Sequence, residues 1–148
     1  MTKITEMINS ESLGKILTLT SRRFSSFPDR IRDVGVLFDL TIHDVDIICS
    51  LAQSEVVSVS VSGGKARNKK FEDHVIMTLN FENGMIGLCE TNWLTPMKVR
   101  ELNLTTTDCY VNLNYLNQKI EISSSKFGNI DESNLYKTGL EFNKQQIM

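Results

Sequence analysis

The sequence predicts an α+β domain built on an open, predominantly antiparallel β-sheet with helices packed on one face. Three observations carry that reading. Val36 to Gln53 repeats its apolar residues at helical spacing. Nearly everything after it switches to the period-two texture of strands. Between two of those alternating runs stands Asn83-Gly84, the dipeptide of a tight hairpin turn.

The elements follow in order. Ile4, Met7 and Ile8 sit at helical spacing within Thr2 to Ser12, and Gly14 is placed to end that helix. Lys15 to Ser21 alternates as a short strand, and Arg22 to Asp33 reads as a loop around Pro28. In the long helix, Leu37, Leu40, Ile47, Ile48 and Leu51 form one apolar stripe. Val57, Val59 and Val61 then alternate with serines, and Gly63-Gly64 is expected to turn the chain. Val75 to Phe81 and Met85 to Trp93 flank the Asn-Gly turn, and Thr95-Pro96 is expected to break the sheet before Lys98 to Thr106. Asp108 to Tyr115 and Lys119 to Ile122 read as a last hairpin, and the pattern fades from Ser123. The result is five or six strands after the helix and a short strand before it. One sheet face carries Ser, Thr and Asn mixed with Ile76, Ile86, Leu88 and Leu102, too apolar to be simply wet, so it is expected to join subunits in a homo-oligomer.

Composition narrows the function classes. At 148 residues the chain is one domain's length, with 41% hydrophobic and 23% charged residues, ordinary globular values. Sixteen Lys+Arg against eighteen Asp+Glu argue against a nucleic-acid partner. Apolar runs are too short to span a bilayer, so no membrane partner is expected, and the N-terminus lacks a signal peptide's apolar stretch. The expected location is the cytoplasm. Cys49, Cys89 and Cys109 are widely spaced without a C-x-x-C pair, and read as small buried hydrophobes. The basic run Lys65 to Lys70 reads as a solvated hairpin tip, since no aromatic residues interleave with it. His74 has no local spacing motif that would make it a metal ligand with His43 and Asp46, so no metal is expected.

A second stripe of the long helix is polar: Asp39, His43, Asp46 and Ser50. Residues four apart lie on one helix face, so the Asp39 carboxylate can approach the His43 imidazole and orient it for proton transfer. The same spacing equally fits a solvated helix face, and the pattern alone leaves both open.

The run from Asp33 to Ile48, a glycine, a few apolar residues and then Asp39-x-x-x-His43-x-x-Asp46, resembles the signature helix of the glucose–fructose oxidoreductase / inositol dehydrogenase family (Gfo/Idh/MocA). Leu13-Gly14-Lys15-Ile16 is similar to the lead into the first strand of that family's second domain. Glu55 to Val59 resembles the strand after its helix, and Phe81 to Gly87 its central hairpin, so the likeness covers about residues 3–122.

The resemblance implies the substrate and oligomerisation domain of an NAD(P)-dependent oxidoreductase. Such an enzyme moves a hydride between a sugar, polyol or related carbohydrate and nicotinamide. It implies His43 as the group that exchanges the hydroxyl proton and Asp39 as its orienting partner, with Asp46 structural. Arg30, Arg32 and Lys98 become candidate contacts to substrate hydroxyls.

Three departures qualify the likeness. The family begins with a Rossmann domain bearing G-x-G-x-x-G and later an E-K-P segment with a lysine that often shares the proton transfer, and neither occurs here. The helix that usually closes the family's chain is also hard to find after Ser123, so the chain is expected to be a single domain cut at both ends, by design or as a split or decayed gene. NAD or NADP would be held mainly by the missing domain, supplied in the native chain or as a separate partner, and no activity is expected alone. The alternatives are a non-catalytic dimerisation module that keeps the same sheet, and a metal-dependent hydrolase, which would need bound metal.

Overall fold

A computed structural model of the chain describes residues 2–9, 13–29, 31, 33–126 and 141–147. Helix α1 (Thr2–Asn9) leads into strand β1 (Ile16–Ser26), and after a loop come a π-helical turn (Leu37–Thr41) and helix α2 (Ile42–Ala52). Seven strands follow: β2 (Val56–Gly64), β3 (His74–Phe81), β4 (Ile86–Asn92), β5 (Leu94–Thr106), β6 (Cys109–Asn114), β7 (Lys119–Lys126) and β8 (Glu141–Ile147). They form one eight-stranded sheet in the order β2-β3-β4-β1-β5-β6-β7-β8.

The chain leaves β1 near the middle of the sheet, crosses one face through α2, and re-enters at the far edge as β2. The β2-β3-β4 meander then returns to β1, which pairs with β4 in parallel, Thr18 opposite Ile86 through Phe24 opposite Asn92. All other neighbours are antiparallel. The predicted α+β architecture, a mostly antiparallel sheet with helices on one face, is what forms.

The core lies between the sheet and α2. Leu19, Ile48, Leu79, Cys89, Leu102 and Leu104 are fully or nearly fully buried there, and Met7 and Ile8 of α1 pack against the same cluster. A smaller cluster of Val36, Val75 and Trp93 supports the start of the π-turn, with the Phe27 ring edge-on to Trp93 at 5.3 Å. The Asn83-Gly84 turn forms as predicted, with Gly84 at a φ of 83° that a side chain would oppose.

Several boundaries differ from the sequence reading, each for a physical reason. β1 runs through Arg22, Arg23 and Phe24, which read as loop, because β4 and β5 hydrogen-bond it on both edges. Gly63-Gly64 does not turn the chain; both stay in the β2 ladder, opposite Val75 and His74, and residues 65–73 make the turn. Thr95-Pro96 lies inside β5, where the register with β1 shifts between Phe24 and Ser26, an irregularity at which proline is tolerated. Leu102 is 0% exposed beneath the helices rather than on the open face, which keeps Ile76, Ile86 and Tyr110 exposed. The sheet also continues beyond Ser123: β7 extends to Lys126 and pairs with β8, from Ile120 opposite Ile147 to Lys126 opposite Glu141.

The helix is where the reading changes most. A π-turn holds more residues per turn than an α-helix, so the phase of its first residues does not carry into α2. Val36, Thr41, Asp44, Ile48, Leu51 and Ala52 are the buried side chains, while Leu37, Leu40 and Ile47 are only half-buried and Ile42 is exposed. Two of these six, Thr41 and Asp44, are polar.

Candidate functional site

The site begins with the start of the π-turn. Val36 donates its backbone N–H to the Glu72 carbonyl at 3.1 Å, and Leu37 donates to the Glu72 carboxylate at 3.2 Å. A Cβ on Gly35 would run into that carboxylate, so a larger residue there displaces Glu72 from this position. Glu72 comes from the β2–β3 loop, which is itself gathered around Asp73. The buried Asp73 carboxylate accepts the backbone N–H groups of Ala66, Arg67 and Asn68 at 2.6–3.0 Å, and His74 Nδ1–H donates to it at 2.9 Å. Burial alone would raise the Asp73 pKa; the three amides and the imidazole outweigh it and hold the carboxyl well below its usual range. The basic run thus wraps its backbone around a carboxylate while Lys65, Arg67, Lys69 and Lys70 stay exposed.

Asp39 and His43 lie on the side of the helix turned away from the sheet core. Asp39 is half-buried in the π-turn, and His43 is exposed in the first turn of α2. No hydrogen bond joins them among the described residues, so the sheet domain alone does not lock the imidazole. Asp46 and Ser50 are exposed further along. Beside this polar column runs an apolar one. Phe38 is 67% exposed and Ile42 51%, and with Leu37, Val45, Val59, Met77 and Leu79 they line an open groove of about 310 Å³ between the helix and the β2 edge. Arg30 and Arg32 lie outside the described residues. Lys98 is exposed in the irregular first half of β5 and makes no hydrogen bond or ion pair with Asp39 or His43. His74 stands on β3 toward the open sheet face, whereas His43 stands on α2, so the metal alternative does not find its ligands together.

Underneath the helix is a polar arrangement that periodicity did not reveal. Arg23 of β1 reaches Asp44 through Nε at 2.9 Å and Nη2 at 2.8 Å, with Asp44 1% exposed and the Arg23 side chain 16%. The Asp44 hydrogen bond holds the guanidinium still more firmly protonated, against its burial, and the Asp39 charge adds to the effect. One turn earlier, the buried hydroxyls of Thr41 and Thr91 meet at 2.5 Å. Nearby, burial and then the Asp44 charge push the Cys89 thiol and the Tyr115 phenol each up to about 12, so Cys89 is no thiolate at neutral pH. Cys49, Cys89 and Cys109 are all free thiols.

Residues 1–112 match the GFO/IDH/MocA C-terminal domain, well over half of the chain. The chain belongs to the GFO/IDH/MocA family. A UDP-N-acetylglucosamine 3-dehydrogenase from Acidithiobacillus ferrooxidans is 28% identical over 118 residues, covering 79% of this chain and 37% of the relative. The solved structure of the UDP-N-acetylglucosamine 3-dehydrogenase from that organism superposes on 97% of this chain and 44% of its own, with a TM-score of 0.75 at 22% identity. A levoglucosan dehydrogenase solved with NADH and L-sorbose covers 95% of this chain and 42% of its own, with a TM-score of 0.69 at 16% identity. These structural likenesses establish the fold. The chain spans less than half the length of these relatives, 37% of one and 44% of the other. Among the described residues no helix is long and apolar enough to cross a membrane.

The helix start that leads into α2 does not fit the pyrophosphate of the nicotinamide cofactor the family implies. A dinucleotide pyrophosphate needs free backbone N–H groups at a helix N-terminus. The N-terminus that leads into α2 is already taken by the Glu72 carboxylate, which would repel a phosphate.

Proposed function

We propose that this chain is the substrate-binding and oligomerising half of an NAD(P)-dependent oxidoreductase acting on a sugar, polyol or related carbohydrate in the cytoplasm. A nucleotide-binding module, in the same native chain or as a partner, supplies the hydride acceptor. This chain's residues bind and orient the carbinol. Asp39 accepts a hydrogen bond from a substrate hydroxyl or orients the imidazole, and His43 takes the hydroxyl proton as the carbon–hydrogen bond is broken. Arg32 and Lys98 are proposed contacts to outlying hydroxyls. The observation that carries the reading is the pairing of two columns on one outward helix face. A carboxylate and an imidazole stand beside the exposed Phe38 and Ile42, an apolar strip on which a second module would close the cleft and exclude water. The similarity to a UDP-N-acetylglucosamine 3-dehydrogenase supports it.

In the complete oxidoreductase, His43→Ala is expected to lower kcat by ~10²–10⁴-fold with little change in cofactor affinity. Wild-type turnover in that variant would overturn the assignment. Calorimetric titration of this chain alone with NADH or NADPH is expected to show no tight binding; tight binding would overturn the division of labour.

The second reading, a non-catalytic dimerisation module, is favoured by the open sheet face, where Ile76 and Ile86 are exposed among Ser, Thr and Asn. Both readings place a second copy on that face. Light scattering is expected to find a dimer or tetramer that Ile76→Lys/Ile86→Lys dissociates, and a wild-type monomer would remove the interface from both.

A further inference from the structure

We propose that Arg23 is a positioning residue: by gripping Asp44 from the sheet, it sets the rotation about its own axis at which the helix presents Asp39 and His43. The proposal rests on the reading of that pair as the reactive groups.

Arg23 stands opposite Thr91 where β1 and β4 run parallel. From that one rung of the sheet, Thr91 holds the Thr41 hydroxyl and Arg23 holds the Asp44 carboxylate. Residues 41 and 44 are three apart, so they lie about one turn from each other on the same helix face. They bracket the junction between the π-turn and α2, with His43 between them and Asp39 just before. The π-turn has no side-chain cap of its own at Val36. Beyond the junction, α2 rests on the sheet through Ile48, Leu51 and Ala52, whose burial adds a favourable term that carries no direction of its own. A two-bond guanidinium–carboxylate fork is not: both hydrogen bonds survive only at one setting. A buried ion pair is also a weak source of stability, because desolvation consumes most of what attraction returns. What this one adds over an apolar pair is direction.

Two variants test the proposal. Arg23→Lys keeps the charge and loses the fork; Arg23→Met/Asp44→Leu replaces the pair by apolar groups and protects folding. Residual dipolar couplings of the α2 amides in the ¹⁵N-labelled chain report the helix's rotation relative to the strands. Both variants are expected to shift the phase of the coupling pattern across residues 42–52. In the complete oxidoreductase both are expected to lower kcat by ~10–100-fold with cofactor affinity unchanged, the scale of an ångström-level misplacement. An unshifted phase with wild-type kcat in both variants overturns the positioning role, and so does a lowered melting temperature without either change. The underlying reading fails separately: full turnover in His43→Ala removes the reactive pair, and the proposal with it, whatever the couplings show.

Discussion

Replacing Arg23 by methionine alone is expected to destabilise the domain by about 3–5 kcal/mol, the usual consequence of leaving one member of a buried ion pair without its partner. Asp44 is 1% exposed, so water cannot reach its carboxylate to compensate, and the methionine that replaces the guanidinium offers no donor. The paired change Arg23→Met/Asp44→Leu is expected to recover most or all of that loss, because the same volume is then filled without a buried charge. Urea unfolding of the wild type and of both variants at one pH measures the two differences. A single variant as stable as the wild type would mean that Asp44 finds another donor or reaches solvent, contrary to its position under α2. Recovery in the double variant is also what makes the rotation experiment interpretable, since it separates loss of direction from loss of fold.

Asp73→Ala is expected to cost about 2–4 kcal/mol, since it strips the common acceptor from three partly buried amides and from the His74 ring. The effect should spread to the site. Asp73 gathers the loop that delivers Glu72 to the helix start, so hydrogen-exchange protection is expected to fall at Val36 and Leu37 as well as at residues 66–68. The pH dependence has a definite sign. The folded-state pKa of Asp73 is depressed, so its stabilisation is complete above the ordinary aspartate value of about 4 and is lost as pH falls from there toward the folded value. Denaturation midpoints measured from neutral pH down to pH 2 should therefore fall less steeply for Asp73→Ala than for the wild type. Parallel curves would mean that the carboxylate is not held as described.

What was legible in the sequence was whatever depends on local periodicity. Val57-Ser58-Val59-Ser60-Val61 is a strand in any context that buries or pairs it, and Asn83-Gly84 turns because Gly84 tolerates a positive φ. The long helix was likewise readable from its apolar spacing, and so was the outward column of His43, Asp46 and Ser50 within α2; Asp39 lies in the π-turn, whose phase an α-helical period does not give. The Arg23–Asp44 pair was not. Arg23 sits in a stretch with loop-like composition, and Asp44 interrupts an apolar stripe that is continuous only if a polar residue is admitted to it: Thr41, Asp44, Ile48, Leu51. Leu102 was assigned to the wrong face because a strand's alternation gives two faces without saying which is covered. β8 escaped because five of its residues 141–147 are polar and show no period-two pattern, while its place in the sheet comes from backbone pairing with β7.

By itself the sequence determined the class of domain, the order of its middle elements and the outward column that marks the family. Those follow from the short-range geometry of the chain, which has the same period wherever it folds. Only the tertiary structure decided that β1 lies parallel to β4, that a π-turn re-phases the helix, and that an arginine from one strand and a threonine from its neighbour catch that helix from below. Each of these brings together groups far apart along the chain. Their energy comes from pairing and desolvation in space, which no local pattern encodes.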